Sequence, residues 1–479
     1  MILTMFGHHS HYLLGSGELK PDQRVVIGTR PGIEEAPRVA WHLGLSADHP
    51  RLIVDHRDFD DGEYLPTFLT KKALNSHGVF GRFLPNYKVD EERDTIQFGK
   101  GLQGMTVYIV DTLSNRLTPQ DLVARVGLLA NAAKYNGAEN VVVLSYTLTY
   151  AAQERGVHDV EHPRMQTRKA RENYDGQGVS LEWLLQTWLT SGVDAVVTGH
   201  LHAMSEAQNI TRRLNEYYNP LHERSLESHS TQRHQITIYN LSVAPLVGVF
   251  LEDKGEEILS LNTQDHGKNI IVLGADINAQ PFAQEIVLNA GFSEAIYGGM
   301  NKTRGAGGVV QTLGLDKLIG PDGKEIYGEI KLDGKDVLVV DDMVRQGGTM
   351  QKNIEVICGS EVEGMTRDPR ITGTPRRVVV YATRSRLSET ARNVLSTPAV
   401  NDIVLTGLDA RVTHNIGQLG RKTVVLWGNF LFGAAAKALE RGEDPNLVLT
   451  PDYIRSNSLM DYHIPRSHRN RTDFREGII

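Results

Sequence analysis

The chain is poor in cysteine: Cys358 stands alone among 479 residues. A lone thiol excludes an internal disulfide and any metal site built from several cysteines, and it fits a reducing compartment. Positive charge is not in surplus either. Lysine and arginine number 51 against 58 aspartates and glutamates, for a net charge of −7. That balance argues against a broad nucleic-acid or anionic-membrane surface and leaves room for a local basic pocket. No window approaches the about 18 consecutive apolar residues of a membrane span. The N-terminal stretch MILTMFGHHSHYLLGSGELKPD lacks the basic start and long apolar core of a signal peptide. The expectation is a cytoplasmic globular protein with neither nucleic acid nor membrane among its partners. At 40% hydrophobic and 23% charged residues, the chain suits two or three domains with a sizeable core.

What is present is an alternation of short β-branched runs and helical patterns. RLIVDHRDF (51–59), MTVYIVDTL (105–113), NVVVLSYTL (140–148) and DAVVTGHLH (194–202) read as strands. Between them, residues 117–138 have apolar residues at helical spacing, opening near Thr118-Pro119 and closing at Asn136-Gly137. Residues 180–193 form a second amphipathic helix ending at Gly192. The second half repeats the plan, with strands at 269–277, 294–299, 336–342, 376–384, 402–408 and 422–429 and helices between them. Strands alternating with helices mean βαβ units. The fold class is α/β, as two similar domains, each a parallel sheet flanked by helices. The expected divisions are an N-terminal extension (1–23), a first domain (24–225), a second (226–428) and a C-terminal helix with a basic tail (429–479). The polar stretch 204–268 reads as a long connection or insertion. DQRVVIGTRPG (22–32) and the tail read as peripheral, and HHSH at 8–11 as a solvated segment.

The stretch VLVVDDMVRQGGTM (337–350) calls for explanation. An apolar strand ends in two adjacent acids and then a glycine pair before a helix. In open parallel sheets, ligands bind beyond the carboxyl ends of the strands. The glycines let backbone approach an anion, the helix start presents amides to it, and Thr349 suits an N-cap with a hydroxyl for phosphate. Two acids beside a phosphate cradle make sense for a ligand with both a phosphate and a diol, because carboxylates accept from vicinal hydroxyls and help hold Mg2+. A ribose 5-phosphate unit has that shape; a capped structural turn is the plainer reading.

This stretch resembles the ribose-5-phosphate signature shared by type I phosphoribosyltransferases and the phosphoribosyl pyrophosphate synthetases. The order of further motifs across about 24–440 resembles the synthetases: FDDGE (59–63), GVDAVVTGHLHA (192–203), GADI (274–277) and NKTR (301–304). The resemblance implies diphosphoryl transfer from ATP, or another nucleoside triphosphate, to C1 of ribose 5-phosphate, with Mg2+ as cofactor. It assigns catalysis to Lys302 and Arg304 on a glycine-framed flexible loop, and nucleotide binding to Phe59, Asp61, Glu63 and Gln153. The sugar phosphate falls to Asp341, Asp342, Arg345, Gln346, Gly347, Gly348 and Thr349, and the metal to His202 and Asp276. A homo-oligomer, a dimer or higher, is also implied.

The chain departs from the family pattern in several places. His200-Leu201-His202 replaces an Asp-Leu-His, Ala152-Gln153 an Arg-Gln, Asn278-Ala279 a Gly-Gly, and Arg345-Gln346 an acid and a hydroxyl residue. The Gly-Gly-Thr and Lys-x-Arg contexts look closer to the divergent plant-type second class, which is less strict about its donor. A larger acceptor such as ADP-ribose, met by Arg345, is a second reading. A phosphoribosyltransferase that consumes the activated sugar is opposed by the nucleotide-site motif in the first half. A non-catalytic synthetase-associated subunit is opposed by the retained Lys-x-Arg.

Overall fold

The structure, a computed structural model, describes the chain apart from residues 1–18, 21–22, 30, 33–34, 46–53, 61–62, 69–88, 91–94, 97–101, 114–116, 152–167, 169–171, 173–176, 202, 225–234, 305–309, 345–347, 360–365, 386–388, 409–422, 458–459 and 464–479. The HHSH segment, nearly all of the N-terminal extension and most of the basic tail lie outside the described residues. The chain folds as two compact units, residues 1–241 with 429–448, and residues 242–428 with 449–479.

The first unit is built on five parallel strands in chain order: Arg24–Gly28, Thr106–Asp111, Asn140–Ser145, Ala195–Gly199 and Thr237–Leu241. Side chains alternate across a strand, so register partners share a face. Ile27, Ile109, Val143, Val196 and Ile238 form one such rung, and all lie in one buried cluster with Val126, Leu129, Leu184, Trp188 and Ile210. Those last five come from helices Pro119–Tyr135, Ser180–Thr190 and Met204–Arg224. The first of these starts as its sequence requires. Thr118 Oγ1 accepts from the Asp121 amide at 3.2 Å, and Asp121 accepts in return from the Thr118 amide at 2.8 Å.

On the other face, Tyr146 stacks on Phe432 with centroids 4.1 Å apart, and the Tyr108 hydroxyl donates to Glu440 at 2.7 Å. Arg24 donates to both Glu440 oxygens, from Nε at 2.8 Å and from Nη2. A Cβ on Gly433 would lie 2.4 Å from His42 Cβ, so helices Ala36–His42 and Asn429–Glu440 meet where no side chain fits.

Four expectations are corrected here. Arg24–Gly28 is not peripheral but a fully buried edge strand of the sheet. The described residues of stretch 204–268 are not a mere connection or insertion: Ala207, Ile210 and Leu214 recur at helical spacing and are buried, and Thr237–Leu241 supplies the fifth strand. The apolar stripe of that helix is narrow, so its polar remainder hides the period. That fifth strand moves the division from 225/226 to 241/242, and helix Asn429–Glu440 belongs to the first unit because Arg24, Tyr108 and Tyr146 hold it there. Finally, Val54–Asp58 is no sheet strand. It pairs antiparallel with Tyr64–Phe68 as a separate hairpin.

The second unit has a nine-stranded sheet. Its parallel centre runs in the order Ile296–Arg304, Ile270–Gly274, Asp336–Val344, Arg377–Ser385, Asp402–Thr406 and Thr423–Trp427. Val310–Ile319 is antiparallel at one side, and Asp461–His463 pairs antiparallel with Thr423–Trp427 at the other. This part of the tail is therefore an edge strand. Helices Gly348–Cys358 and Glu389–Leu395 supply Met350, Ile354, Ile357, Ala391 and Leu395 to the cluster that holds Val337, Val339, Val378 and Val380. Phe282, from helix Gln280–Asn289, packs against Tyr381 with ring centroids 5.6 Å apart.

Candidate functional site

In the second unit the chain adds strands on both sides of Ile270–Gly274. Strand Ile270–Gly274 is followed in sequence by its neighbour on one side, Ile296–Arg304, and then by its neighbour on the other, Asp336–Val344. Such a switch point leaves a crevice outside the carboxyl ends of the two central strands, since the connections leave it in opposite directions. The Ile270–Gly274 ladder stops at the pair Gly274–Val340, whereas Asp336–Val344 runs on beside Arg377–Ser385. Asp341 and Asp342 thus lie just past the point where one neighbour ends. They are inside the strand rather than at its tip, with Asp341 Oδ1 accepting from the Asp342 amide at 3.0 Å. Both are half-buried.

The opposite lip is made by Asp276. Its Oδ1 accepts from the Asn278 and Ala279 amides at 3.0 and 3.3 Å and so caps the turn Ile277–Ala279. The turn folds back hard on the strand end. A Cβ on Gly274 would sit 2.6 Å from the Ala279 carbonyl carbon. The two lips are tied together: buried Asn353, from helix Gly348–Cys358, donates to the Ala275 carbonyl at 2.7 Å, and the Ala275 amide donates to the Val340 carbonyl at 2.8 Å.

Lys302 and Arg304 do not sit on a loop. Ile296–Arg304 is one strand of a hairpin with Val310–Ile319, where Lys302 pairs with Leu313 and Arg304 with Val310, with register shifts near Gly298 and Arg304. Gly298 permits the pairing, since a Cβ there would lie 2.3 Å from the Lys317 carbonyl oxygen. Only the tip, 305–309, lies outside the described residues. Gly348 is exposed at the helix start, and Thr349 is in the first turn rather than at the cap. Arg345, Gln346 and Gly347 lie outside the described residues.

In the first unit the described residues of the FDDGE motif, Phe59, Asp60 and Glu63, lie between the two strands of the separate hairpin. The Phe59 amide donates to the Glu63 carbonyl at 2.9 Å; Phe59 is half-buried and Glu63 exposed. Asp61, Gln153 and His202 lie outside the described residues. Past the strand Ala195–Gly199, His200 adopts a left-handed φ of 42° and donates its amide to the Leu241 carbonyl at 2.8 Å. Near its carboxyl end the sheet carries a polar rung, with Asp111, Ser145, Thr198 and Asn240 as successive register partners. Thr29 donates to Asp111 Oδ1 at 2.7 Å. Burial pushes the Asp111 carboxyl up to about 7, against the lowering effect of the Thr29 hydroxyl and the Thr112 amide. Sequence reasoning missed Arg125, Asn353 and Asp111. Each is a polar residue at a buried position of an apolar pattern, and that interruption was the available signal.

Among the described residues, no group of three or more His, Cys, Asp or Glu side chains is arranged to hold a metal. No helix is long and apolar enough to cross a membrane among those residues.

Residues 251–365, which contain the whole crevice, match the phosphoribosyl transferase domain family. The chain is 24% identical over 247 residues to a ribose-phosphate pyrophosphokinase from Methanopyrus kandleri, covering 51% of this chain and 60% of that protein's length. In structure it is similar to the phosphoribosylpyrophosphate synthetase from Mycobacterium smegmatis, with a TM-score of 0.55 and 14% identity over 88% of this chain and 99% of that one. These matches agree with the resemblance drawn from the motifs, and the likeness in structure bears out the α/β fold.

Proposed function

We propose that the protein is a ribose-phosphate diphosphokinase. It transfers a diphosphoryl group from ATP, or another nucleoside triphosphate, to ribose 5-phosphate, giving 5-phosphoribosyl 1-diphosphate and a nucleoside monophosphate. The observation that carries this reading is a coincidence of two independent features. Asp341 and Asp342 lie just past the end of the Gly274–Val340 ladder, where strands have been added on both sides of Ile270–Gly274, and the Asp276 turn follows the end of that same central strand.

In this reading Asp341 and Asp342 accept hydrogen bonds from the ribose diol, while the start of helix Gly348–Cys358, with residues 345–349, binds the 5-phosphate through amides and the helix dipole. The C1 oxygen attacks the β-phosphorus, the bond from that phosphorus to the oxygen bridging the α-phosphorus breaks, and the monophosphate departs carrying that oxygen. The proton of the C1 hydroxyl leaves to solvent. Such transfers need positioning and charge neutralisation more than covalent help. Lys302 and Arg304, on the hairpin beside the Asp276 turn, supply positive charge to the transferring group. The nucleotide base and ribose fall to Phe59, Asp61 and Glu63, with Gln153 near the phosphates.

Mg2+ suits the donors present. It takes one or two carboxylates together with phosphate oxygens rather than a full protein cage, and Asp276, at the turn past the end of strand Ile270–Gly274, would supply a carboxylate. His202 would be its second ligand. When bound, the ion neutralises triphosphate charge.

The test is product analysis with ribose 5-phosphate, ATP and Mg2+. Equal amounts of AMP and acid-labile 5-phosphoribosyl 1-diphosphate are expected. ADP in place of AMP, or no turnover of ribose 5-phosphate, refutes the reading.

A further inference from the structure

Among the described residues, the strands on either side of FDDGE pair with each other and with neither main sheet. An isolated hairpin is marginal in water, so something outside its own ladder must fix it. Its closing rung is the pair Asp58–Tyr64, directly flanking the turn from Phe59 to Glu63. One side chain grips both members of that rung. Arg125, from helix Pro119–Tyr135, donates Nη2 to Asp58 Oδ1, and its guanidinium carbon lies 4.2 Å from the centroid of the Tyr64 ring. A planar guanidinium can make both contacts at once, one in its plane and one through its face.

Arg125 is 8% exposed, and its Nη1 is buried without an acceptor among the described residues. A buried donor left unmade and a buried ion pair are poor sources of stability. Leucine at this point of LVARVGLL would extend the apolar stripe without that cost. What arginine supplies is a fixed place and angle for the last rung of the hairpin. We infer that Arg125 is a positioning residue for nucleotide binding, holding the Phe59–Glu63 turn through Asp58 and Tyr64. It touches neither substrate nor reacting atoms. This inference rests on the nucleotide role proposed for that turn.

The experiment compares the wild type with Arg125→Leu and Arg125→Lys. It measures the Kd for Mg·ATP by calorimetry and the KM for each substrate and kcat by AMP release, with thermal midpoints as the control for folding. Arg125→Leu should raise the Kd and KM of the nucleotide about tenfold or more, with the ribose 5-phosphate KM and kcat within about twofold. Arg125→Lys, which keeps the charge but not the planar fork, should fall between. An unchanged nucleotide Kd in Arg125→Leu, or an equal rise in both KM values, overturns the inference. If Arg125→Leu does not fold, Arg125→Lys carries the same split, and an unchanged nucleotide Kd there overturns it. A wild type that binds nucleotide but releases no AMP would instead sink the proposed reaction, and the Kd comparison would still decide the role of Arg125.

Discussion

Asp111 gives the sharpest forecast about stability. Its carboxyl ends the second strand of the first sheet, is 1% exposed, and has Thr29 and the Thr112 amide as its partners, with no cation among the causes that set its pKa. Burial raises the ionisation from 3.8 to about 7 in the folded chain. The folded state therefore holds a proton that the unfolded state has released, so stability is fully present below the unfolded value and falls as pH rises toward 7. The full shift corresponds to about 4 kcal/mol, and relaxation or water entry around a buried charge would leave about 2 kcal/mol. Asp111→Asn keeps an acceptor for Thr29 and removes the titration. His42 works in the opposite sense. Burial first, then the Lys437 charge, lower it from 6.5 to about 4, so its contribution is lost as pH falls through that range. It is present in both proteins and cancels in their difference. Urea unfolding at about pH 4.5 and about pH 8 should find the variant near the wild type at the lower pH and more stable by about 2–4 kcal/mol at the higher. A difference that is the same at both pH values refutes the reasoning.

Three further outcomes follow from the geometry. Glu440→Leu leaves Arg24 buried without its carboxylate and Tyr108 without its acceptor, and should cost the first unit about 3–5 kcal/mol in urea unfolding. Gly274→Val drives a side chain into the Ala279–Gln280 backbone and should displace the Asp276 cap, raising the Mg2+ concentration for half-maximal activity while the first unit's unfolding is unchanged. Lys302→Ala should lower kcat at least about a hundredfold with folding and ribose 5-phosphate binding retained; retained activity would remove Lys302 from the chemistry.

The strands and most helices were legible because each carries its own signal. Val337–Val340 and Val141–Leu144 are short apolar runs, and the helix from Pro119 announces its start with Thr118-Pro119 and its end with Asn136-Gly137, where Gly137 has a φ of +88°. Legible too were the strand and the helix that flank the two acids and two glycines of residues 336–349. What the pattern could not carry was partnership. RLIVDHRDF reads as a strand whichever neighbour it finds, and only the fold turns it into a hairpin arm. Arg24 and Glu440 meet across nearly the whole chain, so nothing near either one predicts the other.

Arg125, Asn353 and Asp111 show what a finer reading of periodicity can recover. A polar side chain at a position whose period demands burial must find a partner or bear the desolvation cost, so it marks a contact even while the partner is unknown. In LVARVGLL the partner is the hairpin that carries Phe59; in MQKNIEVI it is the carbonyl beside Asp276. In the strand ending at Asp111 it is a hydroxyl from the turn after the first strand. Each interruption lies at or beside a segment that ends in a motif residue or at a carboxyl edge of a sheet. Interruptions of an apolar stripe thus locate the attachments of a site as motifs locate its ligands, and the two readings together reach further into an unfamiliar chain than either alone.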